Sequence, residues 1–200
     1  MKYNGPKVKI SRKIGIQITP KATKIVAKKN YPPGQHGPSK RRSKQSDYGK
    51  QLLEKQRLRL QYNISEKQMR KYYSKAVHLT GNTGDLFMQL LERRLDAVIL
   101  RSGLAKTIYA ARQYVGHGHV LVNGKPVRVP SYEVKTSDDI SIKEKSRKLE
   151  CFQESVRSSH APEYLEVSKT DFSVKYVHVP AREDIPIECE IPLVVEYYSR

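Results

Sequence analysis

Asn123-Gly124 restricts this chain more than any other pair of residues, because it separates two apolar runs, Val120-Leu-Val122 and Pro126-Val-Arg-Val129. Asn and Gly are the residues that accept positive φ at both centres of a type I′ turn, and that turn matches the twist of two antiparallel strands. The pair predicts a tight β-hairpin. Pro126 cannot donate to a ladder, so its strand belongs at a sheet edge. Upstream, Thr107 is placed to cap a short helix, "IYAARQYV", which runs out into Gly116-His-Gly-His119. Downstream, Asp138-Asp139 turns the chain into Ile140 and Ile142, a closing strand.

Helical signals dominate the region before the hairpin. Ser46 is a cap for a helix reaching about Gln61, with Tyr48, Leu52, Leu53 and Leu60 on its apolar side and Lys50, Lys55, Arg57 and Arg59 pointing elsewhere. Ser65-x-x-Gln68 forms a capping box, and Ile64 with Met69 sits at staple spacing, which predicts a helix over Glu66–Val77. Thr83 opens a third helix in which Phe87, Leu90, Leu91, Leu95 and Val98 recur. It closes at Ser102-Gly103, where glycine suits the left-handed position after a helix.

Beyond residue 145, "SRKLECFQESV" reads as an amphipathic helix with Leu149, Phe152 and Val156 inward, and "YLEVSKTDFSVKYVHV" as a second hairpin. The ending, "IPLVVEYYSR", reads as a strand that needs burial against the first domain. Residues 1–45 show little periodicity, and Pro32-Pro33-Gly34 and Gly37-Pro38 forbid a regular helix or central strand there. The segment is expected to be poorly ordered alone.

Charge is segregated along the same axis. Residues 1–75 hold 21 Lys and Arg against the three acids Asp47, Glu54 and Glu66, whereas residues 149–200 hold five against ten. The whole chain has a formal charge of +18 over 200 residues. A charge that large repels itself unless a polyanion neutralises it, so nucleic acid is the first partner to expect. No apolar run reaches the length of a membrane span, and the start lacks the apolar core of a signal peptide. Two distant cysteines, Cys151 and Cys189, make a disulfide framework and a thiolate zinc site both unexpected, and fit a reducing compartment.

No Ser-His-Asp signature, Walker loop or GxGxxG is present. Glu92 and Asp96 share a helical face, and ion pairing that orients Arg93 and Arg94 accounts for them better than a catalytic dyad. His117 and His119 lack an evident third metal ligand. Hydrogen bonding to phosphate or 2′-hydroxyl suits them, with Arg112, Lys125 and Arg128 on neighbouring elements. In the basic head, Tyr31 and His36 can stack on bases or sugars, while Arg41, Arg42 and the backbone around the glycines supply donors.

The run "LERRLDAVILRSGLAKTIYAARQYVGHGHVLVNGKPVRVPSYEV" resembles the S-four RNA-binding domain. "NYPPGQHG", "SDYGKQLLEKQRLRLQYNISEKQ" and "EYYSR" extend the likeness nearly end to end to the ribosomal small-subunit protein S-four family. The resemblance implies an α+β fold in two domains. A mostly helical first domain spans 1–90 and is completed by a tail at about 187–200. An S-four module over 91–186, helix-turn-helix with a β-hairpin and a small antiparallel sheet, forms the second. It implies a non-enzymatic constituent of the cytoplasmic or organellar small ribosomal subunit. Such a protein binds the 5′ domain of 16S-type rRNA, nucleates assembly and influences decoding fidelity. The implied neighbours are proteins five and three and the messenger near the channel it enters; some members also bind their own messenger. Exposed tail acids such as Glu183 and Asp184 would meet protein five.

Joined with the residue-level reading, the expected RNA contacts in the head are Tyr31, Gly34, Gln35, His36, Arg41, Arg42, Lys50, Arg57, Arg59 and Arg70. Those in the module are Arg93, Arg94, Arg101, Lys106, Arg112, Gln113, His117, His119, Asn123, Lys125 and Arg128. Arg112 and Lys125 are expected to be exposed, so that alanine at either spares folding. Many relatives carry a zinc knuckle where this chain has Val8 and Ser11, so no metal or other cofactor is expected. Gly116 stands where relatives often place an arginine, and that phosphate contact is not carried over. An RNA-modifying enzyme using the module as an appendix would need a synthase-like domain. A stress-related RNA binder would account for residues 91–145 but not for the basic head.

Overall fold

A computed structural model describes residues 3–39, 46–157 and 161–200, the side chain of residue 157 excepted, and divides the chain into two compact units. One comprises Met1–Gly84 with Ile187–Arg200, the other Asp85–Pro186. The fold is α+β.

The first unit is helical among its described residues: α1 (Lys7–Ile14), α2 (Pro20–Lys28), α3 (Asp47–Gln61), α4 (Glu66–Val77) and, at the end of the chain, α10 (Ile191–Ser199). Ser46 and Ser65 cap α3 and α4, accepting from the amides of Gly49 and Gln68, as the capping signals require. Two expectations fail here. The described part of residues 1–45 contains two helices, because the helix-breaking prolines and glycines cluster after residue 31 and Pro20 occupies the first turn of α2, where its missing N–H costs nothing. Ile14 and Ile16 pack with Leu60, which ties this segment to α3. The terminal run "IPLVVEYYS" is a helix, not a strand. Pro192 stands in its first turn, and Ile191 and Val194 are buried three residues apart as the helix packs along α3.

The buried face of α3 also differs from the expected apolar one. It is built from Gln51, Glu54, Lys55, Leu58 and Leu60, while Tyr48 is 51% exposed. Lys55, expected outside, is 4% exposed because Glu66 neutralises it at 3.1 Å. Each of the three acids in the basic head holds a cation: Asp47 pairs with Lys50, Glu54 with Arg57, and Glu66 with Lys55.

In the second unit the helix expected from Thr83 to Arg101 is broken into α5 (Thr83–Glu92), which begins at the boundary, and α6 (Leu95–Arg101). Arg94 is extended at the break. Backbone bonds to a later segment replace the lost helical ones: Val134 N–H donates to the Arg93 carbonyl at 2.7 Å, Leu95 N–H to that of Tyr132 at 2.9 Å, and Asp96 N–H to that of Pro130 at 3.2 Å. Thr107 caps α7 (Ile108–Gly116) by accepting from the Ala110 amide.

The chain then builds one five-stranded antiparallel sheet in the order β2-β1-β3-β5-β4 from β1 (Val120–Val122), β2 (Lys125–Pro126), β3 (Asp139–Ile142), β4 (Leu165–Ser168) and β5 (Ser173–Tyr176). Asn123 and Gly124 carry φ of 49° and 76°, the type I′ signature, and β2 with Pro126 is an edge strand. Between β3 and β4 lie α8 (Glu144–Arg147) and α9 (Glu150–Arg157). Phe152 and Val156 point inward from α9; Leu149, expected with them, is 44% exposed because it precedes the helix. The core joins Leu95, Val98 and Ile99 of α6 to Val115 of α7, Val120, Ile140, Phe152 and Val174.

Candidate nucleic-acid interface

The end of α7 and the first hairpin meet at Gly118, whose φ of 75° turns the chain from helix to strand. A Cβ on Gly118 would lie 3.1 Å from Nε of Arg128, so the missing side chain is also what lets Arg128 cross this point. Arg128 thereby lies against the backbone at Gly118, between His117 and His119 in the chain, whose rings are 5.9 Å apart. Gln113 on α7 and His117 just after it are exposed, and Lys125 is exposed on the edge strand. His119 is half-buried, with Nδ1 2.9 Å from Ser146 Oγ and the Phe152 ring edge-on at 5.9 Å. Burial lowers its pKa, and the neighbouring His117 and the Lys143 ammonium lower it further. At neutral pH this imidazole is neutral, and with Nδ1 engaged by Ser146 it is Nε2 that is left to donate or accept.

The expected arginines behave differently. Arg94 is buried and holds Asp96 with two bonds, Nε to Oδ1 at 3.0 Å and Nη2 to Oδ2 at 2.7 Å. Arg112 donates to the same carboxylate at 3.1 Å and is 14% exposed. Burial raises the pKa of Asp96, and the two guanidiniums oppose that rise. Arg101 binds Glu92 through Nε and Nη2, and the Tyr164 hydroxyl donates to the same carboxylate at 3.2 Å. Arg93 pins the broken helix to the Val134 carbonyl and to Glu133. All four guanidiniums therefore hold the module together. Asp96 keeps the partnership with Arg94 expected of it, whereas Glu92 takes Arg101. Asn123 is also committed, its amide bridging Asp138 Oδ1 and the Asp139 N–H at 2.9 Å each. Lys106 pairs with Glu154 on the surface.

In the first unit Arg57 donates to the Ile14 carbonyl at 2.9 Å and pairs with Glu54. Arg59 donates to Gln56 at 3.0 Å and approaches Glu66. Lys50 and Arg70 are exposed. The Tyr31 ring lies under Arg12, whose guanidinium carbon is 4.8 Å from the ring centroid, and Arg12 also donates to the Tyr31 carbonyl. Gly34, Gln35 and His36 are exposed on a turn that only glycine can close, since a Cβ at Gly37 would lie 2.0 Å from the Pro32 carbonyl oxygen. Arg41 and Arg42 lie outside the described residues.

Sequence reasoning missed Lys143, whose amide is bonded to the His119 carbonyl, and the exposed lysines 21, 24 and 28 of α2. Their spacing of three and four residues places the latter on one helical face, a signal masked by the prolines and glycines that interrupt the rest of the segment. Among the described residues no three His, Cys, Asp or Glu side chains gather as a metal ion requires. Nor is any helix long and apolar enough to cross a membrane.

Against known families, residues 2–92 match the Ribosomal protein S4/S9 N-terminal domain and residues 93–140 the S4 domain. The chain is 48% identical to the small ribosomal subunit protein uS4 of Thermobifida fusca, over all of both chains. It is 46% identical to the protein of that name from Streptomyces avermitilis, over 98% of this chain and 97% of the relative. To that from Geobacillus sp. (strain WCH70) it is also 46% identical, over 100% and 99%.

Proposed function

The chain belongs to the small ribosomal subunit protein uS4 family, and on that premise we propose that it binds the 5′ domain of 16S-type rRNA and nucleates assembly of the subunit. Its relatives are ribosomal structural proteins, and the chain is not an enzyme. The observation that carries the reading is the joining of Arg128, His117 and His119 at Gly118, beside exposed Gln113 and Lys125. Cations bring phosphate there, Nε2 of His119 adds one donor or acceptor, and the Gln113 amide supplies one of each. That mixture suits the 2′-hydroxyls and phosphates of folded RNA better than the base edges of a DNA major groove. The division of labour follows from partnering. Arg93, Arg94, Arg101 and Arg112 fix the shape, and the cations with no acidic partner among the described residues meet the ligand.

The basic head adds affinity through the lysines of α1 and α2, Arg70 and the exposed Gly34–His36 turn. Assembly with proteins five and three, a place beside the incoming messenger, an effect on decoding accuracy, binding to its own messenger and a cytoplasmic ribosome complete the proposal. Exposed Glu183 is the tail residue offered to protein five. Asp184, half-buried, already accepts the Ala181 amide at 3.0 Å.

Salt titration of binding to a transcript of the 5′ domain tests the reading. Each neutralised phosphate contributes a slope of about −0.7 to −0.9 in log K against log salt. With exposed cations in both units, a slope of roughly −5 or steeper is expected. A nearly flat response would remove the electrostatic basis of the proposal.

A further inference from the structure

We propose that the first unit holds a nucleotide site of its own, a cleft in which one unstacked RNA base lies against tyrosine rings while its phosphate meets two arginines. The cleft has a volume of about 440 Å³ and is lined by Tyr48, Arg70, Tyr73, Tyr197, Tyr198 and Arg200. That is the size range of small-ligand sites. The proposal rests on the RNA-binding reading above and adds a specific location and ligand chemistry to it.

Four tyrosines from three helices converge here. Tyr48 and Tyr197 have centroids 5.9 Å apart with planes 35° from parallel, and Tyr73 and Tyr198 are 5.0 Å apart at 30°. Tyr197 and Tyr198 stand nearly perpendicular, 85° at 5.4 Å, and join the two pairs into one aromatic wall. A wall of this kind inside a helical domain would ordinarily be covered, yet Tyr48 keeps 51% of its surface in solvent on the first turn of α3. Lys55 caps the ring of Tyr197, its Nζ 4.7 Å from the centroid. With Lys55 bound to Glu66, which also accepts from the Tyr198 hydroxyl at 2.8 Å, the aromatic side chains are held from behind.

Among the side chains lining the cleft, the only charged ones are arginines. Glu66 is engaged by Lys55 and Tyr198, and Glu196 accepts from Gln51 at 2.8 Å. Arg70 and Arg200 form no ion pair among the described residues. A ligand that satisfies both features must be flat and aromatic at one end and anionic at the other, which describes a nucleotide. An acidic peptide would use the arginines and leave the rings idle, and an apolar protein anchor would leave the arginines desolvated and unpaired. Stacking on tyrosine tolerates any base, because every base has a π-face, so the site favours unpaired nucleotides over a particular sequence.

The test uses the full chain and a 5′-labelled single-stranded heptanucleotide, followed by fluorescence anisotropy, with AMP and inorganic phosphate as competitors. Tyr48→Ala is expected to weaken heptanucleotide binding on the order of tenfold, the loss typical of one base–aromatic stack. Tyr48→Phe should stay within about twofold of the parent, since the ring is kept. AMP should compete far better than phosphate, and a heptanucleotide carrying 4-thiouridine should crosslink to the peptides bearing Tyr48 or Tyr197. Unchanged affinity in Tyr48→Ala overturns the proposal. So does phosphate competing as well as AMP, which would mark a plain anion site, or AMP competing as well as the heptanucleotide, which would mark a free-nucleotide site. Protection of Tyr48 by a protein neighbour in the assembled subunit, without an RNA crosslink, overturns it as well. Parallel titration with the 5′-domain transcript separates the two readings. If the parent chain binds no RNA, the wider function fails; if Lys125→Ala weakens transcript binding and Tyr48→Ala weakens neither ligand, only the cleft fails.

Discussion

Replacing Arg112 and Lys125 by alanine, one at a time, separates a cation that builds the module from one that serves it. Arg112 donates a charged hydrogen bond to Asp96, a fully buried carboxylate, and is itself only 14% exposed. A hydrogen bond to a charged group contributes about 1.5–3 kcal/mol. Arg94 remains on Asp96 in the variant, so the loss stays short of the 3–5 kcal/mol expected when a buried charge is left with no partner. About 2 kcal/mol is the figure that follows. For a cooperative unit of about a hundred residues, each kcal/mol moves the midpoint by roughly 4–8 °C, so Arg112→Ala should melt roughly 10 °C below the parent. Lys125 is exposed on an edge strand and forms no ion pair among the described residues, so Lys125→Ala should melt within about 2 °C. Circular dichroism at 222 nm during heating, at fixed salt and without RNA, gives both numbers. A parent-like midpoint for Arg112→Ala would refute the structural role and return that guanidinium to the RNA-binding surface.

Two further outcomes can be measured on the same footing. Val194→Ala removes buried methyl groups where α10 packs on α3, and should cost about 2 kcal/mol in urea denaturation; an unchanged midpoint would mean that the terminal helix contributes nothing to the unit. His119 has a folded-state pKa below its unfolded value of about 6.5, so below that pH the unfolded chain takes up more protons and stability falls with pH. The His119→Gln variant should lose that part of the pH dependence, and an identical profile between pH 7 and 5 would exclude the imidazole as its source.

The legible parts of the sequence were those whose signals act within a few residues. Ser46, Ser65 and Thr107 each satisfy an amide three residues ahead, and Asn123-Gly124 sets its own turn, so these features survive in any tertiary context. The break in the third helix was illegible because its cause lies about 40 residues away, in the carbonyls and amides of Pro130–Val134. The terminal helix was misread for a related reason. "IPLVV" is apolar and β-branched, and only its docking on α3 decides between strand and helix. In the candidate interface, Arg112 and Lys125 are the residues that local pattern expects in solvent; Lys125 stays there on its edge strand, whereas Arg112 is drawn in to Asp96. The internal roles of Arg94, Arg101 and Arg112 depend on which of two buried acids each side chain reaches, and residue type does not reveal that. Sequence charge counts ligand-facing and self-neutralising cations alike; Lys55 and Arg57 belong to the second kind.

The stitching of residues 93–96 to 130–134 encloses α6, α7 and the first hairpin in a ring of chain whose two ends lie side by side. A segment that begins and finishes at one place, once β3 is counted with it as the sheet partner of β1, can be carried on short connectors, much as termini lying close together make a domain tolerant of insertion elsewhere. The clasp that costs the third helix its continuity thus gives this stretch a border of its own, and a border is what genetic recombination needs in order to move a piece of protein intact.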